Sequence, residues 1–545
     1  MRIFVIGYPA AGKSTAGRLL ATALAWPFVD LDDRIADRAG QPVAALVQAD
    51  LTVFRTLEST LLHELAAMPG PAVIATGAGA ATWGDNLATM RRAGCVIALT
   101  VAVEQALQRA AHDGPRPLLT NIDAAHQLWQ ARASVYRGAH CMVATDDRAV
   151  TTVVDHMLAA WRVWQNVTSA LVGTAEPATA SDTADCVMVG LGDRSYPIVV
   201  APTVPWSVLA GCLPHPCSKL ALLYDANLTD RVATIEAELR AAWPTAPAMI
   251  QLAVPAGEAS KSIAEYQRLA DALLGAGLDR QSAIIAVGGG VVGDLAGFVA
   301  ATLLRGIAVV QVPTTLVAMT DSAIGGKTAI DTAAGKNLLG AFWQPRAVLT
   351  GLDMLTTLPA RERSAGFGEL WKYAILDGED LWQLVAQSAS WVGQGGRAPA
   401  VLAKVILRCA AYKAEVVGAD EREQTGRRAL LNLGHTVGHA IEAAAEFALS
   451  HGESVGLGLL AACRVSTALG LVPTTLEARL TVALTSSGLR TDVDTWMIPA
   501  VFARLSADKK RVGADITYIT TAGPGACAPT RISVNELVGI LRSAP

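Results

Sequence analysis

The sequence predicts two α/β units in tandem. The first is a doubly wound parallel sheet built around a P-loop. The second has two parts, a Rossmann-like α/β half and an all-α half. Three stretches carry this prediction. GYPAAGKST follows the apolar run Arg2–Ile6 and opens a helical pattern. In SAIIAVGGGVVGDLAGFVA a buried strand empties into Gly288-Gly289-Gly290. In LLNLGHTVGHAIE, beyond the point near Leu352 where strand signals thin out, Asn432, His435 and His439 follow at helical spacing, with His451 soon after. The expected boundaries are 1–165, a linker over 166–185, then 186–355 and 356–545.

The totals fit that division. A chain of 545 residues is too long for one hydrophobic core. It is 52% hydrophobic and only 5% aromatic, which suits close-packed α/β architecture and argues against disorder. A net charge of −4 gives no footprint for nucleic acid or an anionic membrane. The eight cysteines form no CxxC pair and read as thiols of a reducing compartment. Met1 leads straight into a strand, and runs such as Ser282–Gly293 are too short to span a bilayer. The expectation is a cytoplasmic protein acting on small molecules.

In the first unit, Gly7 and Gly12-Lys13-Ser14 fit G-x4-G-K-[ST]. The chemistry needs that order: glycines let backbone N–H groups cradle phosphates at a helix N-terminus, Lys13 reaches the β and γ phosphates, and Ser14 ligates Mg²⁺. Thr15 completes the loop. FVDLDD then sets Asp30 and Asp32 at the end of a second strand, where α/β ligands bind. Arg55 and Glu58 are one helical turn apart, AVIAT runs into Gly77-Ala78-Gly79, Arg116 sits in GPRPLL, and Arg132 shares a helix face with Tyr136. As a set they describe a pocket for a small anion beside an ATP site. In order and spacing these motifs resemble shikimate kinase over the whole unit. The resemblance implies that Asp32 contacts the substrate hydroxyls and stands as the proton acceptor, with Asp30 near Mg²⁺. Arg55 and Arg132 would hold the carboxylate, and Arg116 would steady the phosphoryl group and the nucleotide. Gly77, Ala78 and Gly79 would line the substrate, although the family has three glycines there. Other small-metabolite kinases, such as gluconate kinase, and a nucleotide-binding module without catalysis are the alternatives.

NVTSALVGTAEPATASDTAD, rich in Ala, Thr and Ser, reads as a flexible linker. In the second unit the Gly288–Gly290 turn, with Asp294 four residues later, is a dinucleotide-phosphate signal. IGGKT mimics a P-loop tail, but Asp321 occupies the position that should be glycine. GFGELWKYA places Glu369 and Lys372 one turn apart. Clustered histidines on one face are a metal-ligand pattern, and a Glu with two His is a usual catalytic zinc set. Read alone, HxxxH is also what a chance pair on a polar face looks like.

PAGEASKS, GGGVVGDLAGFVAATLLRGI, QVPTTLVAMTDSAIGGKTAID, GKNLLGAFWQP, LPARERSAGFGELWKYA, LNLGHTVGHAIE, SHGESV and DKK resemble 3-dehydroquinate synthase, in order, across the unit. The resemblance implies NAD⁺ held by Asp225, Asn227, Glu258, Lys261, Gly289, Gly290, Asp294, Thr314, Thr315, Lys336 and Asn337. It implies Zn²⁺ (or Co²⁺) on Glu369, His435 and His451. Asp321, Lys327, Asn337, Lys372, Lys413, Arg428, Asn432 and His439 would line the substrate site, with Lys327, Lys372, Arg428 and His439 acting in catalysis. Lys509 or Lys510 would complete a phosphate pocket. Arg305 would reach a neighbouring subunit, which implies a homodimer. One departure is an extra residue in EREQTGRR, which unsettles the place of Glu423.

The implied reaction is a closed redox loop. C5 of 3-deoxy-D-arabino-heptulosonate 7-phosphate is oxidised, phosphate is eliminated, the hydride returns, and the opened ring closes by aldol addition to 3-dehydroquinate. A metal-dependent alcohol dehydrogenase would not need the cations at Lys327, Lys372, Lys413 and Arg428, whereas a related sugar-phosphate cyclase would share the metal ligands. The chain is expected to be a bifunctional enzyme of aromatic biosynthesis. Its two reactions are not consecutive, so passing a substrate between the sites is not the expected reason for the fusion.

Overall fold

The computed structural model describes residues 1–113, 121–172, 184–446, 448–506, 511–512 and 515–543. Arg116, Lys509 and Lys510 lie outside them. The chain divides into two compact units, one formed by Met1–Ser169 with Cys186–Pro197 and the other centred on Ile198–Pro545.

In the first unit six parallel strands lie in the order Phe28–Asp30, Ala72–Ala75, Arg2–Gly7, Cys95–Thr100, Cys141–Ala144, Asp185–Val189. Arg2–Gly7 and Cys95–Thr100 are buried along their whole length, as central strands covered on both faces must be. Two features differ from the sequence reading. The helix Val150–Val172 runs on through the start of the expected linker, because Val167 is fully buried and Thr168 back-bonds to the Trp164 carbonyl at 2.9 Å. The apolar run Cys186–Val189, assigned from sequence to the second unit, pairs with Cys141–Ala144 and packs with the first.

In the second unit another parallel sheet runs Tyr196–Ala201, Ala347–Gly351, Ala308–Pro313, Ala283–Gly288, Leu220–Asp225, Met249–Val254. An antiparallel hairpin, Lys327–Thr332 with Gly335–Phe342, stands apart from it. Lys327 therefore opens a strand where a P-loop lysine would open a helix. The helical half is built on Ala360–Asp377, Ala400–Ala419, His435–Ala444 and His451–Ala468. The last begins at His451 because Ser450 and Glu453 form a reciprocal capping box. A small antiparallel sheet, Arg511–Val512, Asp515–Thr521 and Cys527–Ser533, is added to this half. Among the described residues no helix is long and apolar enough to cross a membrane.

Candidate functional site

The phosphate loop of the first unit is shaped by two glycines. At Gly7, where φ is +134°, an added Cβ would lie 2.1 Å from the Leu99 carbonyl oxygen. Gly12, at φ +84°, starts the helix Lys13–Leu24 and turns its first N–H groups outward. Ser14 and Thr15 are exposed on that first turn. Lys13 Nζ donates to the carbonyls of Gly7 at 3.1 Å and Tyr8 at 2.9 Å. Asp30 caps the helix Leu31–Ala39 by accepting from the Asp32 amide at 3.1 Å. Burial raises the pKa of Asp32 and Asp30 adds to this, while Lys13 and Arg55 pull it back. A carboxyl so placed, between the phosphate lysine and an arginine, is suited to accept a proton.

The facing wall is the 77–79 turn. A Cβ on Gly77 would lie 2.7 Å from Glu58 Oε1 and 3.0 Å from Asp32 Oδ1, and one on Gly79 would strike the Arg55 guanidinium. Glu58, fully buried, holds Arg55 in an ion pair. The Ala78 carbonyl accepts from Arg132 at 3.0 Å and from the Tyr136 hydroxyl. Ala78 does not have the left-handed backbone that would require glycine, so alanine is unstrained there. Two contributors were not legible in sequence. Arg109 ties the loop to the sheet edge through the Ala10 carbonyl at 3.3 Å and the Thr145 carbonyl at 2.7 Å. Tyr8 stacks on Trp129 at 4.5 Å.

In the second unit the expected dinucleotide residues gather at the C-terminal ends of the parallel strands. Asp225 ends one strand and accepts from the Asn227 amide at 3.0 Å. Gly289 and Gly290 begin the helix Gly290–Thr302, and Thr315 packs against Gly289. Thr314 is buried just past the strand Ala308–Pro313. Lys261 is buried and ion-paired with Asp294 at 2.8 Å, and it also donates to Asn337. Burial pushes the Asp294 pKa up to about 6 against the pull of that lysine. Glu258 Oε1 is 3.7 Å from Lys261 and 3.8 Å from Lys336.

The metal-ligand candidates meet because their helices cross at glycines. A Cβ on Gly368 would lie 2.2 Å from the Gly452 carbonyl oxygen, and one on Gly458 would lie 1.9 Å from that of Gly434. Backbones in such contact bring their neighbours Glu369, His451 and His435 together. Glu369 Oε1 lies 3.0 Å from His451 Nε2 and 3.4 Å from His435 Nε2. One ligand atom each of His435, His439 and His451 lies within 4.8 Å of the others. His435 Nδ1 faces the Leu433 carbonyl at 3.0 Å, and His451 Nδ1 faces Glu442 Oε2 at 3.3 Å. Each Nδ1 faces an acceptor and donates, so in the neutral imidazoles each Nε2 lone pair is aimed at the same carboxylate oxygen. Converging lone pairs of this kind fit a divalent cation. Burial opposes a charge on His451, but its hydrogen bonds to Glu369 and Glu442 raise its pKa to about 10 when a proton takes the cation's place.

Beside this cluster is a cationic set. Lys372, 1% exposed, reaches Glu369 Oε2 at 2.5 Å and Asp321 Oδ1 at 3.5 Å. Lys413 reaches Asp321 Oδ1 at 3.0 Å, and the Tyr373 hydroxyl donates to it at 2.7 Å. Burial alone would raise the Asp321 pKa, but the two ammonium groups hold it well below the usual carboxylate range. Arg428 donates to the Gly325 carbonyl at 3.1 Å and the Glu421 carbonyl at 2.8 Å. Lys327 pairs with Glu423, which places the residue left uncertain by the insertion. Asn432 corrects the sequence reading. It ends a separate 3-10 turn, Arg427–Asn432, because Gly434 at φ +76° breaks the chain before the helix that carries His435 and His439. Arg305 stands exposed on a left-handed turn (φ 68°) and is not among the groups gathered here. Glu442, unremarked in sequence, touches His451 and Lys336.

Fold and site together define a P-loop domain joined to an enzyme unit in which dinucleotide-type, metal-type and anion-binding sets converge. The family model for shikimate kinase matches residues 9–162. Those for the N-terminal and C-terminal parts of 3-dehydroquinate synthase match 251–365 and 366–511. The 3-dehydroquinate synthase of Rhodospirillum rubrum is 42% identical over 364 residues, 64% of this chain and 91% of that protein. That of Caulobacter vibrioides is 43% identical over 350 residues, 62% of this chain and 93% of that protein. A crystal structure of 2-deoxy-scyllo-inosose synthase complexed with carbaglucose-6-phosphate, NAD⁺ and Co²⁺ is 24% identical and shares the fold. It matches with a TM-score of 0.57 over 66% of this chain and all (100%) of that chain. The chain belongs to the 3-dehydroquinate synthase family and carries a shikimate kinase domain ahead of it, making it a bifunctional shikimate-pathway enzyme.

Proposed function

We propose that the first unit transfers the γ-phosphoryl group of Mg²⁺-bound ATP to shikimate. Lys13 and the loop amides hold the phosphates, Ser14 and Asp30 hold Mg²⁺, Asp32 takes the hydroxyl proton, and Arg55 and Arg132 hold the carboxylate. The second unit converts 3-deoxy-D-arabino-heptulosonate 7-phosphate to 3-dehydroquinate and phosphate. Glu369, His435 and His451 would hold Zn²⁺ or Co²⁺, and the strand-end residues from Asp225 to Asn337 would hold NAD⁺. When bound, the cation polarises substrate hydroxyls and NAD⁺ takes and returns a hydride. Lys372, Lys413 and Arg428 orient the phosphate and carboxylate of the substrate, and the buried positions of both lysines strengthen that attraction. His439 and Lys327, both exposed, would serve as proton-handling and phosphate-binding groups. The enzyme acts in the cytoplasm as a homodimer, with the exposed Arg305 reaching the partner's site.

One observation carries this reading: a buried lysine pair on Asp321 adjoins a Glu–His–His cluster, which a metal alcohol dehydrogenase would not need. The test uses the intact protein and two variants. Lys13→Ala is expected to abolish shikimate-dependent ADP formation while leaving phosphate release from the heptulosonate phosphate. Glu369→Gln is expected to do the reverse. Loss of both activities in either variant, or no response to shikimate in the wild type, would refute the assignment.

A further inference from the structure

We propose that Glu442 positions His451 for the metal and that, through Lys336, it couples metal occupancy to dinucleotide affinity. The inference rests on the metal and NAD⁺ sites proposed above and gives them a connection.

Glu442 lies two turns past His435 on the helix His435–Ala444. Its two oxygens have different partners. Oε2 is 3.3 Å from His451 Nδ1, whose Nε2 faces Glu369, and Oε1 is 3.2 Å from Lys336 Nζ. Lys336 is the second residue of the strand Gly335–Phe342, far from this helix in sequence. Its ammonium is also 3.8 Å from Glu258, on the dinucleotide side. A single lysine is thus shared between a carboxylate behind the metal ligand and one beside the dinucleotide pocket.

The carboxylate fixes the His451 tautomer by accepting from Nδ1, which keeps the Nε2 lone pair available. With Nε2 engaged by a divalent cation, the imidazole would donate more strongly to Glu442 and would partly neutralise that carboxylate. The hold of Glu442 on Lys336 then weakens, and the cation's charge repels the ammonium. Lys336 would then shift toward Glu258, on the dinucleotide side. Metal therefore tightens dinucleotide binding, and by linkage the dinucleotide tightens metal binding by the same factor.

The test uses full-length, metal-stripped protein. Zn²⁺ affinity is measured by competition with a chromophoric chelator, with and without NAD⁺, and NAD⁺ affinity by titration, with and without Zn²⁺. In the wild type each ligand is expected to tighten the other by an equal factor, roughly 5-fold or more. E442Q is expected to weaken Zn²⁺ binding about 10- to 100-fold, to remove the coupling, and to shift the visible absorption of Co²⁺-loaded protein. K336M is expected to keep Zn²⁺ affinity within a few-fold while the coupling factor falls to about 1, and K336R to restore it. If E442Q does not fold, the partly exposed Lys336 variants carry the test. Wild-type Zn²⁺ affinity in E442Q, or coupling unchanged in K336M, would overturn the proposal. Independent binding of the two ligands to the wild type would do the same. If the wild type bound neither, the assigned sites themselves would fall with it.

Discussion

Asp321→Asn tests the cationic cluster most directly, because one carboxylate there serves two buried lysines. Its Oδ1 lies 3.0 Å from Lys413 and 3.5 Å from Lys372, and accepts from Tyr373 at 2.7 Å. Lys372 retains Glu369 at 2.5 Å after the substitution, so the ammonium left exposed to the loss is Lys413. Burial brings the Lys413 pKa down to about 8, with Asp321 opposing the shift and Lys372 adding to it. The folded value thus lies below the unfolded one, near 10.4. The unfolded chain binds the extra proton between those values, so stability rises with pH across that window and the penalty is fully present below it. Without Asp321 the folded value drops further, and the window opens at lower pH. Stranding a buried charge costs about 3–5 kcal/mol. Release of the proton limits this, at about 1.4 kcal/mol per unit of pKa. The expected loss of stability is about 2–3 kcal/mol near pH 6 and about 1.4 kcal/mol at pH 7, shrinking further as pH approaches about 8. Urea unfolding of wild type and variant between about pH 6 and about pH 8 measures it. A deficit that is flat or grows with pH would show that Lys413 does not answer to Asp321.

Two further outcomes concern the kinase domain. Ala78→Gly is expected to change kcat/KM for shikimate by less than about fivefold, since only backbone freedom worth about 0.4–1 kcal/mol is altered. A gain above tenfold in steady-state kinetics would instead mean that the Cβ crowds the substrate. Glu58→Gln is expected to raise the shikimate KM roughly 10- to 100-fold with a smaller effect on kcat, because a hydrogen bond to a charged group contributes about 1.5–3 kcal/mol. An unchanged KM would remove Glu58 from the positioning of Arg55.

Much of this architecture was legible because the signals are local. A strand, a glycine turn and Gly12-Lys13-Ser14 at the head of a helix lie within one short stretch, as do His435 and His439 on one helical face. The same local logic failed at Asn432. Helical spacing ran through Gly434, whose left-handed backbone ends one element before the next begins. It also stopped the first domain too early, since an Ala, Thr and Ser-rich segment can continue a helix when a single Val167 finds a core to enter.

What no spacing could reveal is which helices touch. Gly368, Gly434, Gly452 and Gly458 carry no functional group, yet they are the points where backbones meet and the metal ligands converge. A side chain at any of them would separate helices carrying Glu369, His435 and His451, so the cluster depends on residues that contribute no ligand atom. Glu442 went unremarked for a related reason. A lone glutamate near the end of a helix has no signature until the fold brings His451 to one of its oxygens and Lys336 to the other. Periodicity reports the faces of single elements, whereas partnership between charges is a property of their crossing. Residues that position others are therefore the ones a sequence conceals longest.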